Sequence, residues 1–383
     1  MTNSFARLQL PPLSLYIHIP WCVKKCPYCD FNSHTADNIP ESAYVDALKD
    51  DLNQERQYIQ ERKLHSIFFG GGTPSLFSPQ AIASILNHAE KTIGFTKDIE
   101  ITLEANPGTV EQKKFSGYHA AGINRLSIGV QSFNKKHLEK LGRVHDHHEA
   151  IKAAHSAQKA GIKNFNIDLM HGLPEQNQQQ ALADLQQAID LGASHLSWYQ
   201  LTIEPNTVFY SSPPRLPEDD QLADIQQAGE LLLSDNNFNH YETSAFSQHS
   251  FRSAHNINYW EFGDYIGIGA GAHGKITDLT TQNILRRWKT RLPKDYLKPG
   301  NTRLAGEKII GQQELPLEFF MNSLRLVDGF DISLFNERTG LDYSHIANAV
   351  STLMERGLLN CDHNKMAPTE LGKRFLNELL EAF

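Results

Sequence analysis

Short apolar runs rich in β-forming residues alternate with helix-like segments along the first two thirds of the chain. The runs are LSLYIHI (13–19), SIFFG (66–70), IEITLEA (99–105), RLSIGVQ (125–131), FNIDLM (165–170) and HLSWYQLTI (195–203). A strand followed by a helix, repeated about six times, favours parallel strands joined by right-handed crossovers. We therefore predict an α/β fold, with a full or partial β/α barrel as first choice and an open doubly wound sheet as second.

The segments between these runs carry helix start signals. Ser78 stands before Pro79, as expected of an N-cap followed by proline in the first turn. Asp146 and Glu149 have the spacing of a capping box with Asp as the cap. Helices are predicted over 41–59, 78–93, 146–160, 178–191 and 218–234.

The character of the chain changes near residue 288. The stretch WKTRLPKDYLKPGNTRLAGEK (288–308) is rich in Pro, Gly and charge, and the residues after it carry helical patterns with a short turn predicted at NCDHNKMAPT. We predict a core domain over 1–290, a linker over 291–308 and a small helical, winged-helix-like domain over 309–383. Packing, rather than DNA binding, is the favoured role of this last domain.

Whole-chain properties argue against several classes of protein. The net charge is -8 and no basic face is visible, so nucleic acid is not an expected partner. No apolar stretch approaches the ~20 residues that cross a membrane, and the N-terminus lacks the pattern of a signal peptide. Three of the 4 cysteines lie close together, which is unlike a disulfide framework. A cytoplasmic protein that is not an integral membrane protein is the expectation.

Polar or glycine-rich features fall at the predicted ends of five consecutive strands. They are a cysteine loop after the first strand, GGGTP (70–74) after the second, Glu104, Gln131 and Asp168. In β/α barrels the functional residues lie at the carboxyl ends of the strands. We therefore expect these five features to form one site.

The cysteine loop reads IHIPWCVKKCPYCDF and contains Cys22, Cys26 and Cys29. A structural zinc site needs four ligands, and His18 or His34 could supply the fourth. A dithiol redox site would use one Cys-x-x-Cys pair and leave Cys22 idle. Three thiolates on a four-iron cluster would leave one iron free to bind a small molecule.

The Cys-x3-Cys-x2-Cys spacing resembles the signature of the radical S-adenosylmethionine (SAM) superfamily. The resemblance implies a [4Fe–4S] cluster held by Cys22, Cys26 and Cys29, with SAM on the open iron. It also implies a partial (β/α)6-type barrel. Cys361, far along the chain, then has no expected role at the cluster.

Further motifs resemble the family related to oxygen-independent coproporphyrinogen III oxidase. They are YIHIPWC, GGGTPS, EANP, GVQSF, GRVH and DLMHGLP, in that order. The resemblance implies a SAM site made of Tyr16, Tyr28, Gly71, Gly72, Thr73, Glu104, Gln131, Arg143 and Asp168.

Two departures indicate a branch of that family. The decarboxylating members carry a fourth cysteine where this chain has Phe31, and they have a longer segment before the first strand. Both differences match the HemW branch, regarded as heme chaperones. This implies heme as cargo, passed to acceptors such as membrane respiratory enzymes, with peripheral contact at the inner membrane and a homodimer among the expectations. The alternative is a radical SAM oxidoreductase acting on a porphyrinogen, so whether the chain is an enzyme stays open.

The stretch HNINYW (255–260) matches a motif typical of this branch and offers candidate heme contacts. His255 could ligate heme iron, and the rings of Tyr259 and Trp260 could pack on a porphyrin. The alternative is that His255 caps a loop and the aromatic rings fill the core. The glycine-rich GIGAGAHG (267–274) is a further segment that could close on the cofactor, with His273 near it.

Overall fold

The computed structural model describes residues 7–36, 38–108, 112–300 and 302–383. Its strands, in chain order, are β1 (Leu13–Ile19), β2 (Trp21–Cys22), β3 (His34–Thr35), β4 (Leu64–Gly71), β5 (Phe95–Ala105), β6 (Arg125–Gln131), β7 (Asn164–His171), β8 (His195–Gln200), β9 (Asn239–Glu242), β10 (Ala245–Ser247), β11 (Asp264–Ile268), β12 (His273–Asp278), β13 (Asn283–Lys289), β14 (Leu304–Ile309), β15 (Phe330–Asp331), β16 (Leu359–Asp362) and β17 (Lys365–Pro368).

The α-helices are α1 (Glu41–Glu55), α2 (Pro79–Thr92), α3 (Phe115–Ala121), α4 (Lys135–Lys140), α5 (His147–Lys159), α6 (Gln178–Asp190), α7 (Val208–Ser211), α8 (Asp219–Asp235), α9 (Ala254–Trp260), α10 (Pro293–Tyr296), α11 (Leu315–Ser323), α12 (Ser333–Thr339), α13 (Ala347–Glu355), α14 (Glu370–Arg374) and α15 (Leu376–Leu380). Short 3-10 helices cover Arg56–Tyr58, Pro74–Leu76 and Tyr343–His345. No helix in the described part of the chain combines the length and apolar character needed to cross a membrane.

Six parallel strands form the centre of the main sheet, in the order β1-β4-β5-β6-β7-β8. The spatial order follows the chain order, whereas a doubly wound sheet reverses direction at its middle. Helices connect these strands, as the alternating pattern predicts. The first choice, an α/β fold with a partial (β/α)6 barrel, is therefore confirmed over the doubly wound alternative.

Antiparallel strands extend both edges of the parallel core. On one side β8 pairs with β10, which pairs with β9. On the other side β11 lies parallel to β1, and β12, β13 and β14 follow in antiparallel order. The segment 291–308, predicted to be a linker, contains α10 and β14, and β14 is an edge strand of this sheet.

Buried apolar side chains explain why the central strands form. In β1 every residue except Tyr16 is buried, as expected of a strand covered on both faces. The predicted caps are also present. The Ser78 side chain accepts from the Ala81 N–H at the start of α2, and Asp146 and Glu149 form a capping box at α5.

The C-terminal region combines helices with a small sheet. The helices α11, α12 and α13 precede the hairpin β16–β17, which pairs with β15. The winged-helix-like description holds, but the expected turn at NCDHNKMAPT is largely a β-hairpin. A second apolar cluster built on Phe319, Phe320 and Phe335 forms the core of this region and includes Phe262 and Ile284 from the main sheet region.

Candidate functional site

A cavity of ≈ 340 Å3 lies at the carboxyl ends of the parallel strands. We call it the cysteine cavity. The predicted residues that line it are Cys22, Cys26, Tyr28, Cys29, Gly71, Gly72, Thr73, Glu104, Gln131, Arg143 and Asp168. Parallel strands present their carboxyl ends at the same edge, which brings residues distant in sequence together. Asp168 was expected to end its strand, but β7 continues to His171.

The three thiols lie on the loop that follows β1. The short strands β2 and β3 pair in parallel and close this loop at its base. Within it, the Cys29 N–H donates to the Cys26 carbonyl at 3.1 Å. All three cysteines are free and half-buried. The loop therefore presents reduced sulfur atoms to the cavity.

Each sulfur has a polar neighbour from the surrounding structure. The Thr73 hydroxyl donates to Cys22 Sγ at 3.5 Å, and Arg143 Nη1 donates to Cys26 Sγ at 3.7 Å. Ser33 Oγ lies 3.8 Å from Cys29 Sγ. Over the described ranges, no three His, Cys, Asp or Glu side chains are arranged to hold a single metal ion. A cluster of several irons needs thiolates spread around it, and this loop supplies three.

Two glycines let the end of β4 approach the cysteine loop closely. The Gly72 N–H donates to the Ile19 carbonyl at 2.8 Å, and a Cβ on Gly72 would lie 2.5 Å from the Trp21 carbonyl oxygen. Gly71 has a φ of +113°, which side-chain-bearing residues rarely adopt. Both positions therefore require glycine, which lets the end of β4 pack directly against β1 and the start of the cysteine loop.

Two carboxyl groups face the cavity from β5 and β7, which lie on either side of β6. Burial, and then the charge of Asp168, raise the pKa of Glu104 to about 8. Glu104 Oε2 accepts from the Gly71 N–H at 3.1 Å. Burial also raises the pKa of Asp168, which accepts from Ser127 Oγ at 2.9 Å and Asn166 Nδ2 at 2.7 Å. Such a pair favours a ligand that brings positive charge or hydroxyl donors.

Arg143 and Gln131 occupy the remaining wall. Arg143 Nη2 donates to Asn106 Oδ1 at 2.9 Å and to the Gly129 carbonyl at 2.5 Å. Its Nε is buried and has no hydrogen-bond partner within the part of the chain described. Gln131 has a φ of +68° and accepts from the Tyr199 hydroxyl at 2.8 Å. A buried donor without a partner is costly, so Arg143 Nε is suited to an acceptor on a bound ligand.

The two tyrosines predicted for the site lie in different places. Tyr28 lines the cysteine cavity, with its ring centroid 6.4 Å from that of Phe209. Tyr16 instead lines a neighbouring cavity, where its hydroxyl lies 3.0 Å from His18 Nδ1. Burial raises the pKa of both tyrosines, so they are neutral at ordinary pH.

Several lining residues were missed by sequence reasoning. Asn106 lies beside Thr73 and donates to its Oγ1 at 3.1 Å, and Ser127, Ser197 and Tyr199 come from the inner ends of β6 and β8. Asn106 belongs to the EANP motif and could have been selected from it. No local pattern in the sequence marked the polar residues of β8 as cavity residues, because the face that they present depends on how the sheet curves.

The three heme candidates of HNINYW are not brought together at one cavity. His255 is 1% exposed, with Nδ1 2.9 Å from Ser66 Oγ, and burial lowers its pKa to about 3. Tyr259 lines the neighbouring cavity that contains Tyr16. Trp260 lies under the Arg325 guanidinium, 4.4 Å from its ring centroid, and packs against the C-terminal core.

The donor set fits an iron–sulfur cluster with an open position. Three free thiols share one loop, an arginine and a threonine lie beside two of them, and an acidic pair with a raised pKa faces the same space. Thiolates are the usual protein ligands of such clusters. The acidic pair and the open Arg143 donor are suited to a ligand with an ammonium, hydroxyl groups and a carboxylate.

Known proteins resemble the chain over nearly its whole length. Residues 16–188 match the radical SAM superfamily, and residues 310–375 match the HemN C-terminal domain. The heme chaperone HemW of Haemophilus influenzae is 52% identical over 380 residues, covering 98% of both chains. That of Escherichia coli K12 is 49% identical over 377 residues, covering 98% of this chain and 99% of the relative.

A solved structure also resembles it. The coproporphyrinogen III oxidase HemN from Escherichia coli, described as a radical SAM enzyme, has a TM-score of 0.81 with 23% identity, covering 99% of this chain and 91% of that one. At this level of identity the likeness shows a shared fold.

Proposed function

The chain belongs to the HemW family of heme chaperones within the radical SAM superfamily, and on this premise we propose that it binds heme and passes it to acceptor proteins. The observation that carries the proposal is near full-length identity of 52% to a protein named as a heme chaperone. Phe31 supports it, since this residue stands where the decarboxylating relatives carry a further cysteine and is 64% exposed at the edge of the cysteine cavity.

The cysteine cavity is proposed to hold a [4Fe–4S] cluster and SAM. Cys22, Cys26 and Cys29 would bind the cluster, which supplies electrons when reduced. The SAM ammonium is suited to Glu104, whose raised pKa falls when a cation lies beside it.

The rest of SAM is matched by other residues of the same cavity. Its ribose hydroxyls are suited to Asp168 and Gln131, and its carboxylate to the positive charge of Arg143, whose Nε has no partner among the described residues. Gly71 and Gly72 let the end of β4 pack against the cysteine loop, which places the cluster ligands beside these groups. Thr73 lies between the cysteine loop and this end of the cavity, since its Oγ1 contacts both Cys22 and Asn106.

We propose that the cluster and SAM control heme loading or release rather than turnover of a substrate. The motivation is a complete set of SAM-site residues beside Phe31 in place of the fourth cysteine. A Cys26→Ser protein that delivered heme at the normal rate would overturn this idea.

The proposed partners are heme and proteins that accept it, among them membrane respiratory enzymes. The proposed location is the cytoplasm, with peripheral contact at the inner membrane during transfer and a homodimer as the proposed assembly. The net charge of -8 is consistent with partners other than nucleic acid.

The test has two steps. Hemin is first titrated into anaerobically reconstituted protein and followed by absorbance, and saturable one-to-one binding is expected. The loaded protein is then mixed with membranes from heme-starved cells, and heme incorporation should exceed that from free hemin at the same concentration. No saturable binding, or transfer no faster than free hemin, would reject the proposal.

The oxidoreductase alternative is tested in the same preparation. It requires 5′-deoxyadenosine to appear together with loss of an added coproporphyrinogen. If that coupling is found while heme binding is absent, the enzyme reading replaces the chaperone reading.

A further inference from the structure

A second cavity of ≈ 480 Å3 adjoins the cysteine cavity. The two cavities share Phe31, Gly71 and Glu104 in their walls. We call the second one the aromatic cavity, because its lining includes Tyr16, Phe31, Tyr259, Tyr265 and Trp288. Its volume lies within the range of about 300–1,000 Å3 that is usual for small-molecule and cofactor sites.

The aromatic cavity contains one imidazole that is free to bind a metal. His18 is engaged at both ring nitrogens, by the Tyr16 hydroxyl at 3.0 Å and the Asn32 carbonyl at 2.9 Å. His273, on the first residue of β12, is exposed, and no side-chain hydrogen bond to it is found within the described ranges. Although its surface is exposed, the ring of His273 is partly enclosed by the cavity wall, and this partial desolvation and the nearby Arg286 charge lower its pKa, which favours the neutral ring at pH 7. A neutral imidazole is the form that ligates iron.

Flat aromatic rings line the same cavity as this imidazole. The Tyr259 and Tyr265 ring centroids are 4.3 Å apart and the rings meet edge to face. Trp288 is 36% exposed and Phe31 is 64% exposed, so both still have surface to cover. Large rings of this kind pack well on an aromatic macrocycle.

The wall is also braced by the C-terminal domain. Arg286 donates to the Tyr265 hydroxyl at 2.9 Å and to Glu318 at 2.5 Å, and Glu318 lies on α11. The C-terminal domain thus fixes a ring of the cavity through this arginine.

Arg291, which also lines the aromatic cavity, carries a guanidinium suited to binding carboxylates. Arg291 is exposed, and its Nε donates to Asn32 Oδ1 at 3.2 Å. No other partner of its guanidinium is found in the described residues, which leaves the terminal nitrogens free for a bidentate carboxylate. Lys289 also lines the cavity, but Asp51 and Glu55 hold its ammonium at 2.5 Å each.

We propose that the aromatic cavity is the heme site, with His273 as the axial ligand of the iron and Arg291 as the partner of a propionate. This inference rests on the proposed function and adds where the protein binds heme. The alternative ligand, His255, lies behind the Tyr259 ring, at a centroid distance of 5.0 Å, and stacks on Phe68 at 5.1 Å. It reaches heme only if this packing opens.

Hemin titration of three variants decides between the ligands. Reconstituted wild-type protein is compared with His273→Ala, His255→Ala and a control, His363→Ala, whose side chain is 94% exposed on the C-terminal hairpin loop. The expected result is a dissociation constant at least about tenfold higher for His273→Ala, and an absorbance spectrum restored by added imidazole. Arg291→Ala should raise the dissociation constant about threefold to tenfold without changing the spectrum.

The outcomes distinguish failure of the His273 site from failure of the proposed heme-binding function. Absence of heme binding by the wild type would reject the proposed function itself. Wild-type binding that His273→Ala leaves unchanged would reject only the His273 site. If both His273→Ala and His255→Ala lose the heme absorbance spectrum, imidazole is added to each. Restoration of the spectrum in His273→Ala alone supports the inference, and restoration in His255→Ala alone overturns it.

Discussion

Glu104→Gln should separate the stability of the protein from its affinity for SAM. The pKa of Glu104 rises from 4.5 to about 8 in the folded chain, chiefly through burial. Because the folded-state pKa is the higher one, the contribution of this carboxyl to stability is fully present below pH 4.5 and is lost as the pH rises toward 8. Glutamine keeps the shape and does not titrate.

The magnitude follows from the pKa difference. About 3.5 pKa units at 1.36 kcal/mol each correspond to about 5 kcal/mol. Glu104 is half-buried and faces two cavities that hold solvent in the ligand-free protein, so we take roughly half of this, about 2 kcal/mol. For a chain of 383 residues this is a rise of about 3 °C in the melting temperature.

Thermal unfolding of ligand-free protein at pH 5 and pH 9 measures the effect. The advantage of Glu104→Gln over wild type should be near zero at pH 5 and about 3 °C at pH 9. SAM affinity, measured by equilibrium dialysis on cluster-loaded protein, should fall at least about tenfold in the same variant. Glu139→Gln is the matched control, since Glu139 is 65% exposed and should change neither quantity. An equal melting difference at both pH values would refute the argument from burial.

Three further predictions concern the surroundings of the site. Gly72→Ala should lower SAM affinity, measured by dialysis, at least about tenfold, because the new Cβ meets the Trp21 carbonyl at 2.5 Å. Gly311→Ala is the control and should leave SAM affinity unchanged, since its Cβ would lie 3.6 Å from the flexible Glu314 carboxylate. Lys289→Met should cost about 3–5 kcal/mol in chemical denaturation, because Asp51 is left buried without its cation and Glu55 keeps only Arg287 among the described residues; a loss below 1 kcal/mol would contradict this. Cys26→Ser should lose iron and acid-labile sulfide and slow heme transfer, whereas Cys361→Ser should keep all three at wild-type levels.

The fold and the grouping of three cysteines in one loop could be predicted from the sequence because their signals are local. A strand buried on both faces is an apolar run, as in 13–19, and a capping box is a spacing of three residues, as at Asp146 and Glu149. Thiol spacing in the loop is equally local. These features need no knowledge of what lies across the sheet.

The hairpin of the C-terminal domain was missed because its strands are short and polar. The β16 and β17 segments pair with each other, and β17 also pairs with β15. This pairing stabilises them more than their own residue preferences do. The edge strand β14, in a segment rich in Pro, Gly and charge, has the same explanation.

The sequence by itself determined the α/β rhythm, the thiolate site and most residues of the cysteine cavity. Tertiary structure decided which histidine can reach a ligand. The sequence favoured His255, in HNINYW, over His273, but His255 is 1% exposed behind Tyr259 and His273 faces an open cavity. Tyr16 and Tyr265 share that cavity because β1 and β11 lie side by side. Access depends on contacts between distant segments, and no local pattern of residues encodes such contacts.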